Sequence, residues 1–103
     1  MVMMPSPRLF AVSATRGAAF DGSLSLEEQR QWAEHAAFMD RLVDDGFVLL
    51  GGPLAGTPDV LLIVRAADEA AVRTRLTEDP WMRDGLLRIV SVTPWHLRLG
   101  SIG

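Results

Sequence analysis

Residues 47–64, with the sequence FVLLGGPLAGTPDVLLIV, predict a β-hairpin around which the rest of the chain is arranged. Two apolar runs, residues 47–50 and 60–64, have the length and composition of buried strands. Residues 56–59 contain the glycine, proline and aspartate typical of a turn. Gly51-Gly52-Pro53 is interpreted as the end of the first strand. It forms either a tight turn or a point where the backbone approaches a ligand and donates an N–H to an oxyanion.

Two further strands are predicted outside the hairpin. Residues 8–14 are a short apolar run, and residues 86–95 are a longer run of β-forming residues. Pro94 lacks the N–H that an interior strand needs, so this end of the last strand is expected at a sheet edge.

Two helices separate the hairpin from the outer strands. Ser25 and Glu28 have the spacing of a capping box and predict the start of a helix of about 20 residues. Gly46 is expected to end that helix as its C-terminal glycine. Asp68 is expected to cap a second, short helix, after which Pro80 suits the first position of another helical turn.

The predicted order of elements is β-α-β-β-α-β. It is typical of the ferredoxin-like α+β fold, a four-stranded antiparallel sheet with two helices on one face. Both hairpin strands are apolar on both of their alternating faces, although one face of such a sheet would normally be polar. A second copy is therefore expected to cover the other face, which makes a homodimer of the dimeric α/β barrel type. A single domain is expected over residues 1–103, with its core at about residues 8–98.

Composition excludes several functions. The 103 residues include no Cys, no Tyr and no Lys, and all ten basic residues are Arg, so thiolate, phenol and Schiff-base chemistry are not available. With two His and no Cys, we predict no metal site, and no cofactor-binding motif is present. The net charge of −3 without a basic cluster argues against a nucleic-acid partner. The chain has neither an apolar run of ~20 residues nor a signal-like segment, so we expect a cytoplasmic protein without a membrane partner.

His35 is the residue most suggestive of chemistry. At ~100° per residue it falls within the apolar stripe formed by Trp32, Ala36, Met39 and Val43. An imidazole in such a stripe costs about 1–3 kcal/mol unless its nitrogens find partners. His35 is therefore either a core histidine bonded to a backbone carbonyl, or a general base oriented by a carboxylate.

Asp79 is the candidate carboxylate, since it follows the second helix and precedes a proline. It is either an ordinary N-cap or the partner of the histidine, and one carboxylate can fill both roles. Trp32 and Trp81 either fill the core or line a site. Arg16, in a loop predicted at residues 15–24, is either solvated or binds a substrate carboxylate.

The order and spacing of these residues resemble the YCII-related domain family over about residues 8–100. The resemblance is carried by Trp32, His35, Phe38-Met39, Leu42, Gly46, Leu50-Gly51-Gly52-Pro53-Leu54, Arg65-Ala66, Asp79-Pro80-Trp81, Gly85-Leu86 and Thr93-Pro94-Trp95. It implies a ferredoxin-like fold that dimerises through its sheets and is similar to muconolactone-isomerase-type proteins. It also implies a His–Asp catalytic pair, carried onto His35 and Asp79, and one branch of the family looks like a dehydrochlorinase without metal or cofactor. The loop at residues 15–24 is variable in the family, so the substrate is not carried over.

Two classes of function follow from these expectations. The first is a cofactor-independent lyase or isomerase that acts on a small molecule, with His35 and Asp79 as its acid–base pair. Its expected substrate-binding residues are Trp32, Gly52, Pro53, Trp81 and Arg16. The second is a non-catalytic module that binds a small ligand or a partner, in which His35 is structural. A cofactor-free oxygenase is suggested by analogy of fold alone.

Overall fold

The computed structural model describes residues 8–102, which form four strands and three helices. In chain order these are β1 (Arg8–Arg16), α1 (Trp32–Asp44), β2 (Val48–Pro53), β3 (Asp59–Ala66), α2 (Glu69–Leu76), α3 (Pro80–Arg83) and β4 (Leu87–Trp95). The strands form one sheet in the order β2-β3-β1-β4, and every neighbouring pair is antiparallel. The predicted α+β fold with a four-stranded antiparallel sheet is confirmed. The short α3 adds one helix to the two predicted, and residues 1–7, where no leader was expected, lie outside the described part.

One face of the sheet is closed by the helices. The inward-facing residues of the central strands, among them Phe10, Val12 and Val64, are at most 1% exposed. They pack against Leu42 of α1 and Leu76 of α2. Full burial of a large apolar side chain contributes about 1.5–3 kcal/mol, so this layer is what holds α1 against the sheet.

The other face of the sheet is apolar but open in the single chain. Leu50 of β2 is 59% exposed and Leu61 of β3 is 39% exposed. The apolar residues predicted on both faces of the hairpin are therefore present. That a second copy of the chain covers this face remains a prediction.

The first helix starts later than predicted. It begins at Trp32, although Ser25 N–H does donate to Glu28 Oε1 at 2.9 Å as a capping box requires. Only isolated turns follow, because the buried Gln29 side chain donates to loop carbonyls and Gln31 has a left-handed φ of 61°. A left-handed residue interrupts a right-handed helix, so the prediction of a start at Ser25 is wrong.

The strand β2 extends further than predicted. Gly51-Gly52-Pro53 pairs with β3 in regular register, so its interpretation as a tight turn is wrong. The reversal follows instead at residues 54–59, where Leu54 N–H donates to the Asp59 carbonyl at 2.9 Å. The absence of a side chain at Gly51 leaves room for Leu62, because a Cβ there would lie 2.5 Å from a methyl carbon of Leu62 and that side chain would have to move.

The remaining helix boundaries are confirmed. Gly46 has a φ of 74° after α1, and Phe47 N–H donates to the Leu42 carbonyl at 3.0 Å, as in a Schellman motif. The Asp68 side chain caps α2, and Pro80 is the first residue of α3. β4 is an edge strand, as its proline predicted.

Candidate active site

His35 and Asp79 form a hydrogen-bonded pair between α1 and the start of α3. His35 Nδ1 lies 2.9 Å from each of the two Asp79 carboxylate oxygens. The Asp79 residue is 1% exposed, whereas the His35 side chain is 13% exposed. An ionised carboxylate can only accept, so this contact assigns the imidazole proton to Nδ1.

The other ring nitrogen of His35 is left available. Within residues 8–102, the hydrogen bonds of this ring all involve Nδ1, and Nε2 is not among the buried atoms that lack a partner. Nε2 is therefore reachable by solvent and, with the proton on Nδ1, carries a lone pair; His35 is among the residues that line the cavity. This is the tautomer that a histidine needs in order to accept a proton from a bound molecule.

Trp81 holds both members of the pair in place. Its backbone N–H donates to Asp79 Oδ1 at 3.1 Å, and its indole ring stacks on the imidazole of His35 with centroids 3.9 Å apart and planes 3° apart. Its Nε1 donates to the Arg30 carbonyl at 2.8 Å, which ties α3 to the segment before α1. Trp81 is 1% exposed, so the imidazole plane and the carboxylate are fixed by a buried side chain.

The local sequence explains how these side chains are delivered. Asp79 caps α3 and Pro80 occupies its first position, a combination that starts a helix with the carboxylate turned toward it. On α1, His35 N–H donates to the carbonyl of Gln31, the left-handed residue that sets where this helix begins. His35 is thereby in the first turn of α1, beside the tilted ring of Trp32 at 5.9 Å.

A cavity of about 320 Å³ lies in front of the pair. Small-molecule sites commonly occupy about 300–1,000 Å³, so this cavity suits a compact ligand. All seven residues predicted for the site line it: His35, Asp79, Trp32, Gly52, Pro53, Trp81 and Arg16. Their functional roles stay predictions, but the fold brings them to one place.

Most apolar residues of the wall were missed by sequence reasoning. Phe20, Leu26 and Met82 also line the cavity, and Phe20 meets Trp81 edge to face with centroids 6.3 Å apart. Phe20 is the only aromatic residue between β1 and α1, which is a signal that could have singled it out. The walls are therefore mainly aromatic and apolar.

The N–H groups of Gly51 and Gly52 point in opposite directions. Since Leu54 N–H donates to Asp59 of β3, the alternation of an antiparallel ladder turns Gly52 N–H toward Leu61 of β3 as well. Pro53 has no N–H. By the same alternation Gly51 N–H turns away from β3 at the sheet edge, so an oxyanion donor in this segment stays a prediction.

Arg16 lies at the mouth of the cavity. It is the last residue of β1 rather than part of a loop, which corrects its predicted placement. Its guanidinium carbon lies 4.4 Å from the centre of the Phe20 ring, a cation–π distance. Asp40 and Asp59 also contribute to the wall.

Within residues 8–102, no group of three or more His, Cys, Asp or Glu side chains is arranged to hold a metal ion. In the same range, no helix combines the length and the apolar character needed to cross a membrane.

Comparison with known proteins identifies the family. A search among curated proteins found no match. The sequence profile of the YCII-related domain matches residues 14–96, a range that includes the His35–Asp79 pair, the end of β1 and all of β2, β3 and β4. On this match, which spans most of its length, the chain belongs to the YCII-related domain family.

Proposed function

We propose that the protein is a cofactor-independent enzyme of lyase or isomerase type in which His35 and Asp79 transfer a proton. The observation that carries the proposal is the 2.9 Å contact between His35 Nδ1 and a buried carboxylate, beside a mainly apolar cavity that His35 lines. A positioned general base contributes about 10²–10⁴-fold to a rate, which is enough to detect in a simple assay.

The proposed chemistry begins with proton transfer to His35. Nε2 takes a proton from a carbon next to a carbonyl, or from a ring carbon or hydroxyl of the substrate. The imidazolium that forms stays paired with the ionised carboxylate of Asp79. Return of the proton to a different atom completes an isomerisation, and departure of a leaving group from the neighbouring atom completes an elimination. Trp32 and Trp81 exclude water from one side of the reacting atoms.

The Kemp elimination of 5-nitrobenzisoxazole tests the proposed base directly. In this reaction a base removes the ring C–H proton, the N–O bond breaks, and a coloured cyanophenolate is released. We expect wild-type protein to catalyse it, and His35→Gln to lower the rate toward background by about 10²-fold or more. His96→Gln is the matched control, because His96 is exposed and lies outside this cavity.

Asp79→Asn should give an intermediate rate, since the amide no longer stabilises the imidazolium by charge. Equal rates for His35→Gln and His96→Gln would rule out a proton-transferring His35. Equal rates for wild type and Asp79→Asn would remove the carboxylate from the mechanism.

A second candidate function is a non-catalytic ligand-binding or interaction module. It is favoured by the N-cap role of Asp79, whose Oδ1 accepts from Trp81 N–H at 3.1 Å and would be needed even without catalysis. In that case His35→Gln should lower stability or ligand affinity while the elimination rate of wild type already equals the background.

The proposal includes a homodimer in the cytoplasm. Its support is the open apolar sheet face that carries Leu50 and Leu61, at 59% and 39% exposure. Sedimentation velocity should show a dimer for wild type and a monomer for Leu61→Asp, with Leu99→Asp as a control because Leu99 is 87% exposed beyond β4. A monomeric wild type at micromolar concentration would rule out this assembly.

A further inference from the structure

The charged side chains around the cavity indicate a class of substrate, which the acid–base pair alone does not indicate. We propose that the substrate is a planar, unsaturated ring compound with a carboxylate, and that Arg16 binds the carboxylate while the ring lies between the aromatic walls. This inference rests on the proposed function, because it takes the cavity in front of His35 as the substrate site.

Arg16 is placed and oriented for an external anion. It is the one arginine among the described residues that line the cavity, and no carboxylate of residues 8–102 lies within salt-bridge distance of it. Its guanidinium carbon lies instead over the Phe20 ring, 4.4 Å from the ring centre. A guanidinium placed over a ring in this way keeps its N–H edge free for a carboxylate, which it binds through two parallel hydrogen bonds.

The pattern of β1 places Arg16 on the cavity side of the sheet. Ala14, two residues earlier, faces the same side and lines the cavity. Asp59 pairs with Thr15, whose side chain points to the opposite side because successive residues of a strand alternate. Asp59 lines the cavity as well, but it forms no salt bridge with Arg16. Asp40, an exposed residue of α1, is the remaining acidic group at the rim.

The two ends of the cavity differ in charge. At the inner end lies the acidic side chain of Asp79, and at the mouth lies the basic side chain of Arg16. The carboxylate of an anionic substrate is attracted to the mouth and repelled from the inner end. The carboxylate therefore lies at the mouth, and the acidic C–H lies at the inner end. The charges thus favour a single orientation, with the reacting atom toward Nε2.

The walls between these ends favour a flat ring. Phe20, Trp32 and Trp81 meet at centroid distances of 5.8–6.3 Å, and Met82 completes the surface. Aromatic faces and polarisable thioethers pack well against π-systems. The volume of about 320 Å³ limits the ligand to about one ring with its substituents.

Three isosteric probes test the charge preference without any turnover. Benzoate, benzamide and benzamidine share one ring and differ only in carrying a negative, neutral or positive group. We expect benzoate to bind about tenfold more tightly than benzamide, and benzamidine to bind weakest, when affinity is measured by calorimetry and NMR titration at low salt. Cyclohexanecarboxylate, which keeps the charge but lacks the flat ring, should bind more weakly than benzoate.

Matched variants assign the preference to Arg16. Arg16→Gln should reduce benzoate affinity to that of benzamide and leave benzamide unchanged. Arg73→Gln removes the same charge from an exposed pair with Glu69 on α2, away from the cavity, and should leave both affinities unchanged. Asp40→Asn should strengthen benzoate binding, since it removes a repelling charge from the rim. Circular dichroism of each variant checks that the fold is intact, and Arg16→Lys, which keeps the charge, should retain part of the preference.

Several results would overturn the proposal. These are benzamidine binding as tightly as benzoate, equal affinities for benzoate and benzamide, an equal loss in Arg73→Gln and Arg16→Gln, or no binding of any probe at tens of millimolar. None of these results depends on proton transfer. A benzoate preference that persists in His35→Gln, together with an inactive wild type in the elimination assay, would retain the Arg16 site and reject only the catalytic role of His35.

Discussion

Asp68 and Asp79 cap two successive helices, yet only one of them belongs to the candidate active site. Each accepts a hydrogen bond from a backbone N–H in the first turn, Asp68 from Ala71 at 2.8 Å and Asp79 from Trp81 at 3.1 Å. Asp68 is exposed, whereas Asp79 is 1% exposed and also accepts from His35. The two aspartates thus have the same local role as helix caps, but the one at α2 is solvated and the one at α3 is buried.

The difference shows that burial, and not the cap itself, marks the candidate catalytic carboxylate. A carboxylate removed from water must recover the lost hydration through other hydrogen bonds, and Asp79 recovers it from Trp81 and His35. The helix α3 has only four residues and would not be stable in isolation, so its cap serves mainly to position these contacts. The helix α2 has eight residues and needs Asp68 only as a cap.

The largest difference expected between the two aspartates is in their contribution to the free energy of unfolding. Asp79→Ala removes a cap and the acceptor of the His35 Nδ1–H, so we expect a loss of about 2–4 kcal/mol in the free energy of unfolding. Asp68→Ala removes a cap alone and should cost about 1 kcal/mol. Urea unfolding of both variants at pH 7 measures the difference. Equal losses would mean that burial adds nothing to the role of Asp79.

A double-mutant cycle narrows the comparison to a single contact. For His35→Ala combined with Asp79→Ala we expect a coupling energy of about 1.5–3 kcal/mol, the range for hydrogen bonds to a charged group. His35→Ala combined with Asp68→Ala should be additive within about 0.5 kcal/mol, because these residues share no partner. Coupling of similar size in both cycles would point to a general effect of His35 on folding instead of a specific bond to Asp79.

Asparagine substitutions test whether charge or shape matters at each cap. Asp68→Asn should be nearly neutral, because Asn caps as well as Asp, whereas Asp79→Asn should cost about 1 kcal/mol or more through its single remaining acceptor oxygen. Ring ¹⁵N signals should show the Nδ1–H tautomer of His35 in wild type and in Asp68→Asn, and a mixture of tautomers in Asp79→Asn. An unchanged tautomer in Asp79→Asn would show that Trp81 stacking alone orients the ring.

Local patterns were sufficient to predict much of this fold. The hairpin, the Gly46 helix end and the Asp68 and Asp79–Pro80 helix starts depend on neighbours within a few residues, so spacing along the chain reveals them. The contact between His35 and Asp79 joins residues 44 apart. The helical stripe and the Asp-Pro turn suggested the pair but left a bland alternative open for each residue, and the family resemblance then implied that the pair is catalytic.

The errors have a common physical cause in tertiary contacts. The helix start moves to Trp32 because Gln29 is buried among loop carbonyls and Trp81 Nε1 holds the Arg30 carbonyl, neither of which is visible in the capping-box spacing. Gly51 continues a strand because its missing Cβ leaves room for Leu62 on the neighbouring strand. In both places a distant side chain overrides the local preference.

The smallest expected effect concerns two exposed carboxylates outside the helix caps. Asp21 and Glu28, in the turns before α1, have pKa values below their ordinary values of 3.8 and 4.5, because Ser23 and Ser25 donate hydrogen bonds to them. A lowered folded-state pKa means that the ionised form favours the fold. This stabilisation is complete above the ordinary pKa values and is lost as pH falls through the lowered ones. The difference in the free energy of unfolding between wild type and Asp21→Asn or Glu28→Gln should therefore narrow between pH 6 and pH 3. Glu27→Gln is the control, because Glu27 makes no such bond in the described chain. A gap that widens on acidification would contradict the sign, and a gap as large as that of Asp79→Ala would contradict the view that burial sets the magnitude.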